Sequence, residues 1–229
     1  MSVADIRREA VHIVNEVLER LGVNTVTNLN DTRLSTLLTR FLNDVIDEVS
    51  DYGDWPEMYR EAEVTASSSV ETYELAVSGN VKNIYEIVFD TERSPLRVVT
   101  IEDIRRLQRG RSFGTPRQFA VVGVSGVNPL FRASPIAVTA NVTSNTTFKV
   151  AYYKKPSIVT AVTANNSAIP AFPSRMLIQG VYAKALLEES GGEPTNEYQV
   201  AYTEYLRMRT EALNRLTADT GSDVYLVPT

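Results

Sequence analysis

Acidic side chains are the commonest groups in this chain that could do chemistry, and one set of them is clustered. Asp44, Asp47, Glu48, Asp51 and Asp54 recur at intervals of three and four, which on a helix stacks carboxylates along one face. Such a face suits general acid–base work or the docking of a basic partner, and it is also the pattern of an ordinary solvated helix surface. Neighbouring carboxylates repel, and near a helix C-terminus the macrodipole adds to the penalty, so something else must outweigh it. His12 lies among Glu9, Glu16 and Glu19 on another polar helix face. One imidazole with carboxylates can hold a divalent metal, but a dedicated zinc site would bring a second nitrogen or sulfur ligand. With a single histidine and no cysteine, the chain favours a plain surface histidine at position 12. The opposite charge gathers in Arg105, Arg106, Arg109, Arg111 and Arg117, with Phe113 among them. Those guanidinium groups suit an acidic protein surface or phosphates, or else pair with the chain's own acids.

The absence of cysteine excludes thiol nucleophiles, cysteine metal sites and disulfide frameworks. At 229 residues, 43% hydrophobic and 22% charged, the composition is that of a globular chain with a sizeable core. The formal net charge of −5 disfavours tight binding to a phosphate backbone. No G-x-G-x-x-G, G-x-x-x-x-G-K or H-E-x-x-H is present, and Gly123-Val124-Ser125-Gly126 lacks the spacing of a nucleophile elbow. No apolar run approaches the roughly 18 residues that cross a bilayer, and the first eight residues alternate charge with apolar side chains instead of opening an export signal. A soluble, cytoplasmically made protein without membrane contact is the expectation.

The elements that must position these groups follow from hydrophobic periodicity. Ile6, Ala10, Ile13, Val14, Val17 and Leu21 predict an amphipathic helix behind Ser2 and Asp5 and ahead of Gly22. Leu34, Leu37, Leu38, Phe41, Leu42, Val45, Ile46 and Val49 predict a second, with Asn30 or Asp31 as cap, ended by Gly53, Asp54 and Pro56. From residue 61 the pattern changes to short stretches rich in Val, Ile, Tyr and Thr: 61–66, 72–77, 84–89, 118–124, 130–133, 137–141 and 147–153. About eight strands are expected, at the spacing of a sandwich or open barrel. One helical turn interrupts them, where Thr100 caps Ile101, Ile104 and Leu107, with Asp103 completing the box. Helices return after Pro173 and Ser174, stop at Gly191 and Gly192, and resume after Pro194 with a stripe of Tyr198, Ala201, Tyr202, Tyr205, Leu206, Ala212, Leu213 and Leu216.

The order of helices, β region and helices predicts an α+β fold. Both chain ends, 1–58 and 172–220, are expected to form one antiparallel helical bundle, with 59–171 as an inserted antiparallel β domain. Residues 221–229 are then an extended tail whose Val224, Tyr225, Leu226 and Val227 need a partner surface.

Several local patterns also carry a resemblance. Asp54-Trp55-Pro56 after the second helix, Tyr73-Glu74-Leu75, the isoleucine-rich stretch 84–88, Pro95-Leu96, Gly114-Thr115-Pro116 before Phe119, and Tyr152-Tyr153-Lys154-Lys155-Pro156 together resemble the head-to-tail adaptor proteins of tailed phages. The chain is similar to the tail tubular protein A type of short-tailed phages. The resemblance implies a virion protein of the head–tail neck, assembled in the host cytoplasm, that performs no reaction and needs no cofactor or metal. It implies a ring of about twelve copies under the portal protein, extending the DNA channel and offering a surface to tail, nozzle or tail-tube proteins. The tail residues Val224 to Val227 would then reach along the portal. At −5 per copy, about twelve copies sum to about −60, a wall that repels phosphate and lets double-stranded DNA slide through without specific binding. Asp44, Asp47, Glu48 and Asp51, or the glutamates of the first helix, are the channel-facing candidates. The arginines at 105, 106, 109, 111 and 117 are the candidates for contact with a neighbouring subunit or tail protein. Rival readings are a tail-completion or terminator protein of the neck, a carboxylate-based hydrolase such as a glycosidase, and a stand-alone adhesive module.

Overall fold

A computed structural model describes residues 7–89, 92, 94–109, 112–138, 142, 146–161 and 166–220, the side chains of 108 and 216–220 excepted. Arg111 and the segment 221–229 lie outside the described residues. The fold is mixed α+β, with five helices and two sheets in which antiparallel pairing dominates. Contacts divide the chain into a helical unit, Met1–Met58 with Pro156–Thr229, and a β unit, Tyr59–Lys155.

The helical unit holds α1 (Ala10–Arg20), α2 (Arg33–Tyr52), α4 (Ser174–Glu189) and α5 (Asn196–Thr220), and the β unit holds α3 (Ile101–Gln108). Thr32, not Asn30 or Asp31, caps α2: its hydroxyl accepts from the Ser35 N–H at 3.0 Å while Ser35 Oγ accepts from the Thr32 N–H at 3.1 Å. Asp31 instead folds back onto the N–H groups of Thr27 and Asn28 at 2.9 and 2.7 Å. These bonds favour its charged form and lower its pKa, the Asn28 backbone bond most. The first helix is described from Ala10, and the Ser2 and Asp5 cap signal lies outside the described residues; orphan N–H groups of its first turn find acceptors elsewhere in the chain. Ala10 N donates to Ala168 O at 2.8 Å and Val11 N to Asn166 O at 3.2 Å.

In α4 the apolar residues are spread around the helix, as expected of one enclosed by neighbours, and α1, α2 and α5 all pack on it. Gly180 permits that closeness. A Cβ at this position would stand 2.8 Å from Val45 Cγ1 and 3.0 Å from Tyr205 Cε2. Trp55, fully buried after the break at Gly53, donates its indole N–H to Val49 O at 2.7 Å and meets Phe172 edge-on at 5.2 Å.

The β unit ends at Lys155, short of the boundary at 171 that strand and turn composition suggests. Side-chain amides explain the difference. Asn43 on α2 accepts from the Val159 N–H at 2.8 Å and donates to its C=O at 2.7 Å, and Asn166 accepts from the Leu29 N–H at 3.1 Å. The extended chain after residue 155 is thus laced to the helical unit and, among the described residues, adds no strand to a sheet.

Seven strands are described: β1 (Tyr59–Thr65), β2 (Thr72–Glu74), β3 (Val81–Phe89), β4 (Arg97–Val98), β5 (Gln118–Ser125), β6 (Asn128–Ser134) and β7 (Thr147–Lys154). One sheet runs β1-β7-β3 and the other β2-β6-β5-β4. All pairs are antiparallel except β4 with β5, which is parallel. The expected antiparallel pairing thus dominates, with this one parallel pair as the departure. The parallel pair exists because α3 lies between its two strands in sequence, giving the chain a crossover by which to return in the same direction. The strand expected at 137–141 does not form over its described part, 137–138. The two sheets share a core in which Tyr73, Phe89, Phe119, Phe131 and Phe148 are all buried. Tyr73 and Phe131, on one sheet, lie 4.7 and 5.5 Å from the Phe148 ring on the other.

Candidate functional site

The acidic face of α2 carries Asp44, Asp47 and Asp51 exposed and Glu48 half-buried. Glu48 accepts from Arg209 Nη1 at 3.1 Å and stands 3.7 Å from Lys184 Nζ. Arg209 also lies over the Tyr52 ring, 3.9 Å from its centroid. Cations from α4 and α5 therefore offset the repulsion and dipole penalty that this sequence incurs at the end of α2. Asp51 and Asp54 have interactions of their own. Beside the pair, burial pushes the Tyr205 hydroxyl well above the ordinary phenol range, and the Glu48 charge adds to the shift.

His12 is exposed, 3.8 Å from Glu9, in an open depression lined by Arg8, Asn15, Glu16 and Arg20. Among the described residues no group of three or more His, Asp or Glu side chains is arranged to hold a metal ion. None of the described helices is long and apolar enough to cross a membrane.

The arginine cluster is only partly a loop. Arg105 and Arg106 belong to the last turn of α3, Arg109 is its C-cap, and Arg117 immediately precedes β5. The helix starts as its capping residues predict: Thr100 Oγ1 accepts from the Asp103 N–H at 3.2 Å and donates to Asp103 Oδ2 at 2.7 Å. Cations at its other end complement the dipole. All four described arginines are exposed. Among the described residues, none of their guanidinium groups has an ion-pair or hydrogen-bond partner. Three large apolar side chains in the same segment are also exposed, Val98 on β4 (63%), Leu107 on α3 (43%) and Phe113 (52%). Arginine mixed with exposed apolar groups is the composition of a protein interface.

A second feature of the β unit escapes sequence inspection. On the outer face of the sheet β1-β7-β3, the Tyr59 and Tyr153 rings meet edge-on at 6.0 Å, and Tyr85 meets Tyr153 at 6.0 Å from the other side. Tyr59 and Tyr153 are direct cross-strand partners. The register of β3 shifts between Ile84 and Glu86, so Tyr85 is the extra residue of a bulge, and bulges re-aim side chains. Tyr85 is 58% exposed as a result. Glu61 and Glu86, across from each other on either side of Ala151, flank the rings. The Tyr59 hydroxyl donates to Glu61 Oε1 at 2.7 Å, and chiefly for that reason its pKa is pushed up to about 12. The patch joins π-faces to carboxylates, the two groups that receive a guanidinium. Strict alternation along 84–89 conceals it, because the bulge puts Tyr85 and Glu86 on one side.

A family model described as SU10 adaptor protein matches residues 1–228. No curated protein matches the chain.

Proposed function

The chain belongs to the SU10 adaptor protein family, structural components of phage virions, and from that premise we propose a head-to-tail adaptor of the neck. The family match over nearly the whole length is the observation that carries this reading. In it, about twelve copies close a ring under the portal protein, prolong the DNA channel and present a surface to tail proteins. The role is structural, with no reaction assigned to the chain. The helical stretches 1–58 and 172–220 act as one bundle beside the channel, the β unit is an insertion that faces other proteins, and the segment 221–229 reaches along the portal through Val224, Tyr225, Leu226 and Val227. The resemblance of the local patterns to the tail tubular protein A type supports the same reading.

The chemistry of the surfaces is compatible with it. Asp44, Asp47 and Asp51 are exposed carboxylates that would keep a channel wall negative and DNA unbound, whereas Glu48 is already neutralised by Arg209 and Lys184. Native mass measurement and negative-stain images of the protein, alone and mixed with its portal protein, test the proposal. Closed rings on the portal are expected, and truncation after Asp219 should weaken that attachment. A chain that never binds the portal, or binds only a tail tube, overturns the reading.

A further inference from the structure

We infer that the ring closes through the β unit, the tyrosine–carboxylate patch of one copy receiving Arg105, Arg106, Arg109 and Arg117 of the next. The inference rests on the proposed ring and names the two surfaces that would make it. Arg105, Arg106, Arg109 and Arg117 are exposed and lack partners among the described residues, beside exposed Val98, Leu107 and Phe113. Tyr59, Tyr85 and Tyr153 form a three-ring patch beside Glu61 and Glu86. Arginine stacks on aromatic faces and bonds carboxylates in fork geometry, so one guanidinium can use both groups together. The apolar side chains around the arginines supply what the outer surfaces of the tyrosine rings would cover.

Placement keeps the two surfaces from meeting within one copy. The tyrosines lie on the outer face of the sheet β1-β7-β3, while α3 and β4 belong with β5 and β6 of the other sheet, beyond the shared core. Two different, complementary patches on one unit make a head-to-tail contact, and contacts of that type generate rings when the rotation closes. The acidic face of α2 is the weaker receptor. Its Glu48 is occupied, Asp51 and Asp54 are engaged, and Asp44 and Asp47 offer charge without a described ring contact.

Paired charge reversal tests this on the full chain in the presence of the portal protein. One variant carries Arg105→Glu and Arg106→Glu, the other Glu61→Arg and Glu86→Arg. Each alone should assemble about 10- to 100-fold less well, since like charges then face each other at every contact. Their mixture should recover ring formation, because alternating copies restore opposite charges throughout. The chain has no cysteine, so Tyr85→Cys and Arg106→Cys copies mixed with a bismaleimide give a second readout independent of charge. A cross-link between 85 and 106 is expected, with few between 85 and 85 or 106 and 106. Rings that form normally from either reversed variant, or rings without the 85–106 cross-link, overturn the inference and leave the adaptor reading standing. Failure of the unmodified chain to bind the portal overturns the adaptor reading itself.

Discussion

In the helical unit, Arg7, Arg8, Arg20, Arg207, Arg209 and Arg215 each have a carboxylate within 4.0 Å, on Glu57, Glu16, Glu204, Glu211 or Glu48. In the β unit, Arg105, Arg106, Arg109 and Arg117 have none among the described residues, and an aromatic patch flanked by Glu61 and Glu86 lies on another face. Those six arginines of the helical unit thus serve internal cohesion, whereas these four of the β unit do not. The contrast teaches that burial and pairing, more than charge counts, decide whether an arginine is available to a partner.

The largest effects should come from each region's aromatic core. Trp55→Ala in the helical unit and Phe148→Ala in the β unit should each cost about 3–5 kcal/mol, read by chemical denaturation together with hydrogen exchange to show which unit loosens. Next, Arg209→Ala removes the partner of half-buried Glu48 and the cation over Tyr52. A loss of about 2 kcal/mol is expected, against less than about 0.5 kcal/mol for Arg105→Ala. Equal costs at 105 and 209 in thermal unfolding would erase the contrast between the regions. Thr32→Ala, deleting the cap of α2, should cost about 1 kcal/mol, with Thr32→Asn largely restoring it.

The smallest effect is a titration. Tyr59 holds its proton more firmly folded than unfolded, so its contribution is whole below the ordinary phenol value of about 10 and is lost as pH rises through about 12. Burial raises Tyr205, and also Tyr73 and Tyr202, so all act in the same alkaline direction. Ultraviolet titration of Glu61→Gln should move one phenol back towards the ordinary range; no movement would show that the Glu61 contact is not what holds that proton.

Periodicity made much of the fold legible. The apolar spacing of Leu38, Leu42, Val45 and Val49 marks α2, Thr100 with Asp103 marks the start of α3, and Gly191 with Gly192, both at positive φ, marks the end of α4. What it missed depended on contacts distant in sequence. Asn43 and Asn166 read as ordinary polar residues until Val159 and Leu29 are placed against them. The register shift at Tyr85 depends on pairing with β7, which no local window contains. For the candidate surfaces, the arginines were visible as a charge cluster, whereas Tyr59, Tyr85 and Tyr153 are widely separated and meet only because three strands lie side by side.

The register that sets Tyr59 opposite Tyr153 also brings the first and last strands of the inserted unit into adjacent positions. A short peptide could therefore bridge 58 to 156 in its place, and related chains could exchange this module as a cassette while keeping one helical scaffold.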